Sequence, residues 1–161
     1  MSSRDPLRDV LAQVAMPVAI VTALDRAGNA HGLTVGSLCS LSASPPLLLV
    51  CIDRRGHSGR HIVAADRFGV SVLAAEHEHL ARAFAAHGSH SFGPAFTFED
   101  GLPAVRNALA WLACDRSEVV DGGDHHILIG RINAARHGLA SPLMYHNRRY
   151  GHLDTACLSI A

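Results

Sequence analysis

Seven or so strand-like runs follow one another along the chain, with only short helical stretches between them. Parallel neighbours need a crossover of a dozen or more residues, usually a helix, whereas antiparallel strands join through tight turns. The pattern favours an antiparallel barrel with helices plugging its ends over a regular βαβ series. Residues 17–24 are rich in Val, Ile and Thr, residues 25–29 read as a turn, and residues 31–36 return as the second arm of a hairpin. Residues 47–53 form an apolar run between Pro45-Pro46 and Arg54-Arg55-Gly56, expected to be a strand buried on both faces. Strands are also expected over 67–73, 108–120, 126–134 and 143–153, the last a single strand carrying Tyr145 and Tyr150. Helices are expected over 5–14, with Leu7, Val10, Leu11 and Val14 on one face, over 58–65, and over 76–86. The Gly-containing stretch 88–94 reads as a mobile loop.

A chain of 161 residues suits one domain over 1–161, with an N-terminal helix within 1–15 and a tail at 154–161. With 48% hydrophobic residues it can build a core without staples. The formal net charge of zero gives no broad basic field, which argues against a nucleic-acid partner. No apolar run, residues 47–52 included, is long enough to span a bilayer, and the start of the chain lacks the basic and apolar regions of a secretory signal. The expectation is a cytoplasmic protein with no membrane contact. Cys39, Cys51, Cys114 and Cys157 form no C-x-x-C pair and are expected to be reduced. Among the 12 histidines, His57 and His61 are four apart and could share a helical face, as metal ligands often do. No carboxylate completes an H-E-x-x-H pattern, so a surface cluster without metal is expected.

Four segments have the composition of a binding site. Residues 33–44 interleave Thr34, Ser37, Ser40, Ser42 and Ser44 with apolar residues. Their hydroxyls and backbone N–H groups suit the edge of a flat heteroaromatic ligand, or else a Ser-rich connection with local turn bonds. After Asp53 a strand runs into Arg54-Arg55-Gly56-His57-Ser58-Gly59-Arg60, where a helix begins. Free N–H groups, a hydroxyl and arginines there attract phosphate, or Ser58 simply caps the helix among solvated arginines. Gly122-Gly123-Asp124-His125-His126 permits a tight turn in which Asp124 orients His125, or is an ordinary hairpin turn. Tyr145 through Tyr150 alternates aromatic and Arg side chains that stack on a nucleotide or form a strand face at a subunit interface. No G-x-G-x-x-G follows a strand, and no P-loop, nucleophile elbow or paired carboxylates are visible.

In order, these segments resemble the short-chain flavin reductase family over residues 16–153. The strongest piece is HGLTVGSLCSLSASPPLLLVCI, residues 31–52; Gly123-Asp124-His125 matches the family's G-D-H motif, and residues 143–150 its C-terminal aromatic strand. Ser91-Phe92-Gly93-Pro94 matches the family's Phe-Gly region loosely. The resemblance implies a mainly β fold with short helices, an antiparallel Greek-key split β-barrel that binds FMN. It also implies that Thr34, Val35, Gly36 and Ser37 line the isoalloxazine ring, with Ser40, Leu41 and Ser42 near the ribityl chain or phosphate. Cys51, Ile52 and Asp53 flank the flavin, Arg54, Ser58 and Arg60 approach the phosphate, and His125 (the catalytic candidate) and Tyr150 lie by the nicotinamide. Gly36 stands where many members carry Ser or Asn.

The implied activity is hydride transfer from NADH or NADPH to FMN or FAD, with reduced flavin supplied to a partner monooxygenase of a two-component system. Members are usually homodimers with the flavin site near the interface. Two other readings remain at this point: a split-barrel oxidase that retains its flavin, and a flavin- or haem-binding protein without turnover.

Overall fold

The computed structural model of the chain describes residues 6–86 and 91–153. Seven antiparallel strands form the main sheet in the order β3 (Ala30–Val35), β2 (Ala19–Leu24), β6 (Arg67–Val72), β9 (Ala110–Gly122), β10 (His125–His137), β5 (Pro46–Asp53) and β4 (Cys39–Ala43). A second sheet joins β1 (Met16–Pro17) to β11 (Leu143–His146) and β12 (Arg149–His152), and β7 (Phe96–Glu99) pairs with β8 (Leu102–Val105). The helices are α1 (Pro6–Leu11), α2 (His57–Ala64) and α3 (Glu78–Ala85), the last preceded by a 3-10 turn at Ala75–His77.

The β2–β3 turn forms for a local reason. The Asp25 carboxylate accepts the N–H groups of Ala27 and Asn29, each at 2.9 Å, and Gly28 supplies φ of +83°. The β9–β10 hairpin turns on Gly123, at φ +74°, and Asp124. The sheet curls so that its end strand β3 approaches β5, the strand next to its other end, without pairing, and α2 rests on β3, β2 and β5 across that seam. Gly59 allows this contact, because a Cβ there would lie 2.9 Å from both the Asp53 carbonyl oxygen and Ile52. Ser37 closes the seam further on: its hydroxyl accepts the Cys51 N–H at 2.8 Å and donates to the Cys51 carbonyl at 3.3 Å. This leaves the edge of β5 satisfied where β4 no longer covers it.

Several elements differ from the sequence expectation. The run 47–53 is buried on one face only. Leu48, Val50 and Ile52 enter the core with Phe68, Val70 and Leu128, while Leu47, Leu49 and Cys51 are half-exposed. The Ser-rich stretch contains a further strand, β4, with a register shift at Leu41. The final strand 143–153 is a hairpin, broken at Asn147 and Arg148, which take φ of +48° and +60°. The β7–β8 hairpin was not anticipated; its strands are four residues each and Pro103 sits inside one. Helix α1 is shorter than 5–14, and Leu7, Val10, Leu11 and Val14 are exposed on this chain. Of the loop 88–94, residues 88–90 lie outside the described residues, as does Cys157. Phe92 packs against Phe84 and Phe96. Among the described residues no helix is long and apolar enough to cross a membrane.

Candidate functional site

Two adjoining cavities run along the C-terminal half of β3. One, about 200 Å³, is lined by Leu33, Thr34, Asp53, Phe84 and Ala85, and by Gly56, His57, Ser58 and Gly59 at the start of α2. The other, about 230 Å³, is lined by Met16, Val18, Thr34, Val35, Gly36, Ala85, Tyr145 and Tyr150. They share Thr34 and Ala85, so together they make one elongated cleft. Its two ends differ in chemistry. One faces the first turn of a helix whose N-cap is Gly56 in extended conformation, where backbone N–H groups have no intrahelical partner. The other is walled by aliphatic and aromatic side chains. Such a cleft suits a ligand with a flat ring at one end and an anionic group at the other.

Tyr145 and Tyr150 lie opposite one another on β11 and β12, ring centroids 5.0 Å apart. Arg82, on α3, places its guanidinium 4.9 Å from the Tyr150 ring centroid while it pairs with Glu78 at 2.7 Å. Burial raises the Tyr150 phenol above its usual range, so the group stays neutral. Thr34 donates its hydroxyl to the Ala81 carbonyl at 2.9 Å, which ties β3 to α3 beneath the cleft. At the other end Asp53 is held ionised well below the usual carboxylate range, because the Arg55 side chain and backbone N–H both bond to it.

Of the sequence-predicted residues, Thr34, Val35, Gly36, Asp53, Ser58 and Tyr150 line this cleft. Ser58 is buried in the first turn of α2 and is not its cap, a position Gly56 holds. Ser37 faces the seam and its hydroxyl is engaged by Cys51. Ile52 is fully buried in the core, and Cys51 sits on the opposite, half-exposed face of β5. Ser40, Leu41 and Ser42 lie on the outer strand β4, away from both cavities. Arg54 is drawn to the β9–β10 hairpin, bonding the Asp121 carboxylate at 2.5 Å and the His125 carbonyl at 3.3 Å. Arg60 bonds His57 Nδ1 at 2.7 Å.

His125 lies opposite Asp53 in the β5–β10 ladder, at the mouth of the hairpin. Its Nδ1–H donates to the Asp124 carboxylate at 2.7 Å. That bond holds Asp124 below its usual range and leaves Nε2 as the outward-facing nitrogen. Sequence reasoning missed Met16, Val18 and the Phe84–Ala85 wall, which carry no polar or motif signal; only the fold shows that they edge a cleft. It also missed His31, whose ring stacks on His61 at 3.9 Å with the planes 6° apart.

A wider depression of about 780 Å³ lies elsewhere, lined by Thr97, Glu99, Arg106 and Arg136 among others. Its central charges are already matched, with Arg136 gripping both Glu99 oxygens at 2.6 Å. The cleft along β3 is therefore the stronger candidate, although it is smaller.

A split antiparallel barrel with a two-ended cleft at its seam defines the class of flavin-binding split barrels. The model of the flavin reductase like domain matches residues 11–154, and the chain belongs to that family. It is 37% identical over 148 residues to the NADH:riboflavin 5'-phosphate oxidoreductase of Streptomyces pristinaespiralis, covering 89% of this chain and 84% of the relative. Among solved structures, it superposes on the NADH:FAD oxidoreductase SgcE6 of Streptomyces globisporus, in complex with NAD and FAD fragments, with a TM-score of 0.89. That pair is 29% identical, over 96% of this chain and 95% of the other. The styrene monooxygenase flavin reductase of Pseudomonas putida S12 is 30% identical, with a TM-score of 0.84 over 92% of this chain and 97% of the other.

Proposed function

We propose that the chain is an NADH-dependent flavin reductase that delivers reduced FMN or FAD to a separate monooxygenase. The observation that carries this reading is the two-ended cleft, together with family membership and relatives whose names specify NADH and flavin. The name of the styrene monooxygenase relative supports the partner class.

Hydride transfer between stacked nicotinamide and flavin rings is the chemistry that the two bound groups supply. This chain's part is to hold them in register and to exclude alternatives. Thr34, Val35 and Gly36 form the floor under the ring, and Tyr145 and Tyr150 its apolar wall. Asp53 and the Gly56–Gly59 turn receive the polar end, with the N–H groups of α2 aimed at phosphate. By the family's G-D-H motif, His125, oriented by Asp124 and standing opposite Asp53 at the polar end of the cleft, contacts the nicotinamide dinucleotide. The open cleft suits a flavin that enters and leaves as a substrate.

The direct test mixes purified protein with excess FMN or FAD and NADH and follows loss of the nicotinamide absorbance. Catalytic turnover supports the reading; tight flavin binding without nicotinamide consumption would sink it and favour a binding protein. His125→Ala is expected to raise the KM for NADH more than it weakens flavin binding. Equal losses in the two would contradict its assignment.

A homodimer is part of the proposal. Leu49 and Cys51 on β5 lie directly opposite Ile129 and Ile127 on β10, and Val120 on β9 continues the row. Directly opposed residues share a face, so these side chains make a continuous half-exposed apolar patch on the outer side of the sheet. A second copy covers it economically, since a two-fold contact pairs the patch with itself. Sedimentation should give twice the chain mass, and Ile129→Glu should give monomers; a wild-type monomer at micromolar concentration would contradict the dimer.

A further inference from the structure

Three histidines from two elements meet beside the cleft. His31 stands on β3, and His57 and His61 lie four apart on α2, which rests on that strand. One ring nitrogen from each lies within 4.8 Å of the others. The His31 and His61 rings are stacked at 3.9 Å, and His57 approaches at 5.0 Å from His61 and 5.9 Å from His31. We infer that His31, His57 and His61 form a binding site for a divalent transition-metal ion of the zinc class.

Four observations support this. Histidines at i and i+4 on one helix face are a recurrent chelating pair, because both rings reach the same side within one turn. The third ligand comes from β3, which packs directly against α2, with Leu33 of that strand 3.7 Å from where a Cβ on Gly59 would lie. His31 also has the partner that metal-binding histidines usually have. Its Nε2 bonds the Asp25 carboxylate at 3.0 Å, which places the proton there and leaves Nδ1 as the lone-pair nitrogen. Asp25 is itself held by the N–H groups of Ala27 and Asn29, so the orienting carboxylate is rigid. Finally, the donor set is all imidazole, which suits zinc, nickel, cobalt and copper and disfavours calcium and magnesium.

Zinc–nitrogen bonds of about 2.0–2.1 Å imply ligand nitrogens roughly 3.3 Å apart in a tetrahedron. The ligand nitrogens therefore need to close by at most about 1.5 Å, and the His31 or His61 ring must turn out of its parallel stack so that both in-plane lone pairs point at the ion. His57 Nδ1 presently accepts a hydrogen bond from Arg60, so coordination through that nitrogen displaces Arg60. A fourth position stays open to water because His57 is exposed. The ion would stand at the rim of the cleft that His57 also lines. Its effect on phosphate binding rests on the flavin reading; the site itself does not.

The test is a calorimetric titration of tag-free, flavin-free protein with Zn²⁺. The expected result is one equivalent per chain, with affinity reduced at least about tenfold by His31→Ala, His57→Ala or His61→Ala, about tenfold by Asp25→Asn, and unchanged by His152→Ala. A second measurement does not depend on variants. Zn²⁺ should protect these three rings of the native protein from diethyl pyrocarbonate, as mapped by mass spectrometry. The absence of saturable Zn²⁺ binding, binding that survives the loss of two of the three histidines, or protection confined to other histidines would overturn the proposal. Because no flavin is present, none of these outcomes bears on the reductase activity.

Discussion

Gly130→Ala should destabilise the fold by about 3 kcal/mol. Gly130 lies in β10, next to the irregularity in its pairing with β9. A Cβ there would sit 2.3 Å from Phe68 Cζ and 2.8 Å from both Phe68 Cε1 and Cys114 Cβ. The Phe68 ring cannot swing away, since it is fully buried among Val70, Leu128 and Ile52. Cys114 cannot give either, because the obstructing atom is attached directly to the backbone of β9. The better strand propensity of Ala over Gly offsets only about 0.5–1 kcal/mol of this. Thermal melting should fall by roughly 6–12 °C, at about 2–4 °C per kcal/mol for a chain of this size. Gly93→Ala is the control, as nothing lies within 4 Å of its hypothetical Cβ. Gly130→Ala combined with Phe68→Leu should recover part of the loss, a coupling that a double-mutant cycle measures. A Gly130→Ala protein that melts within a degree or two of wild type would show that the sheet yields where the packing says it cannot.

That contact also shows where sequence reading stops. The β2–β3 hairpin is legible because its turn chemistry is local: Asp25 and Gly28 do their work within five residues. The β9–β10 hairpin is legible for the same reason, through Gly122-Gly123-Asp124 between two long apolar-rich strands. The β11–β12 turn is not, because Asn147-Arg148 takes positive φ at a position where Arg carries no turn signal. The apolar run 47–53 suggests burial on both faces, but only Leu48, Val50 and Ile52 are buried, because hydropathy does not say whether a second layer lies over the other face. In the site, the stretch around Thr34 was singled out through the family resemblance, its pattern alone fitting a Ser-rich connection as well, and the helix start near Ser58 was legible to within a residue. Assignments that depend on side-chain direction were not. Ser37 turns to the seam and Arg54 to Asp121, although both belong to segments that border the cleft. His31 is 26 positions from His57, so no local spacing could have grouped them.

Gly36→Trp should lower kcat/KM for NADH-dependent flavin reduction by at least about a hundredfold while leaving the fold intact. Gly36 edges the apolar end of the cleft with Val18, Val35, Tyr145 and Tyr150, a space of about 230 Å³. Its backbone has no positive φ, and a Cβ would meet only the flexible end and stem of Met16, at 3.3–3.5 Å. Ala is therefore tolerated there with a small shift of Met16, and Gly36→Ala should keep activity within a few fold of wild type. An indole occupies the volume reserved for the flat ring and takes its contacts with the two tyrosines. Because rate in this chemistry depends on the register of two stacked rings, partial displacement is as damaging as exclusion. Three measurements separate the causes: NADH oxidation, quenching of flavin fluorescence on titration, and thermal melting. The expected set is lost turnover, weakened flavin binding and an unchanged melt. Turnover near wild type in Gly36→Trp would mean that the ring binds elsewhere. The polar end of the cleft, at Asp53 and Ser58, would then have to serve a different ligand. Lost turnover with flavin affinity unchanged would instead place the nicotinamide, rather than the flavin, against Gly36.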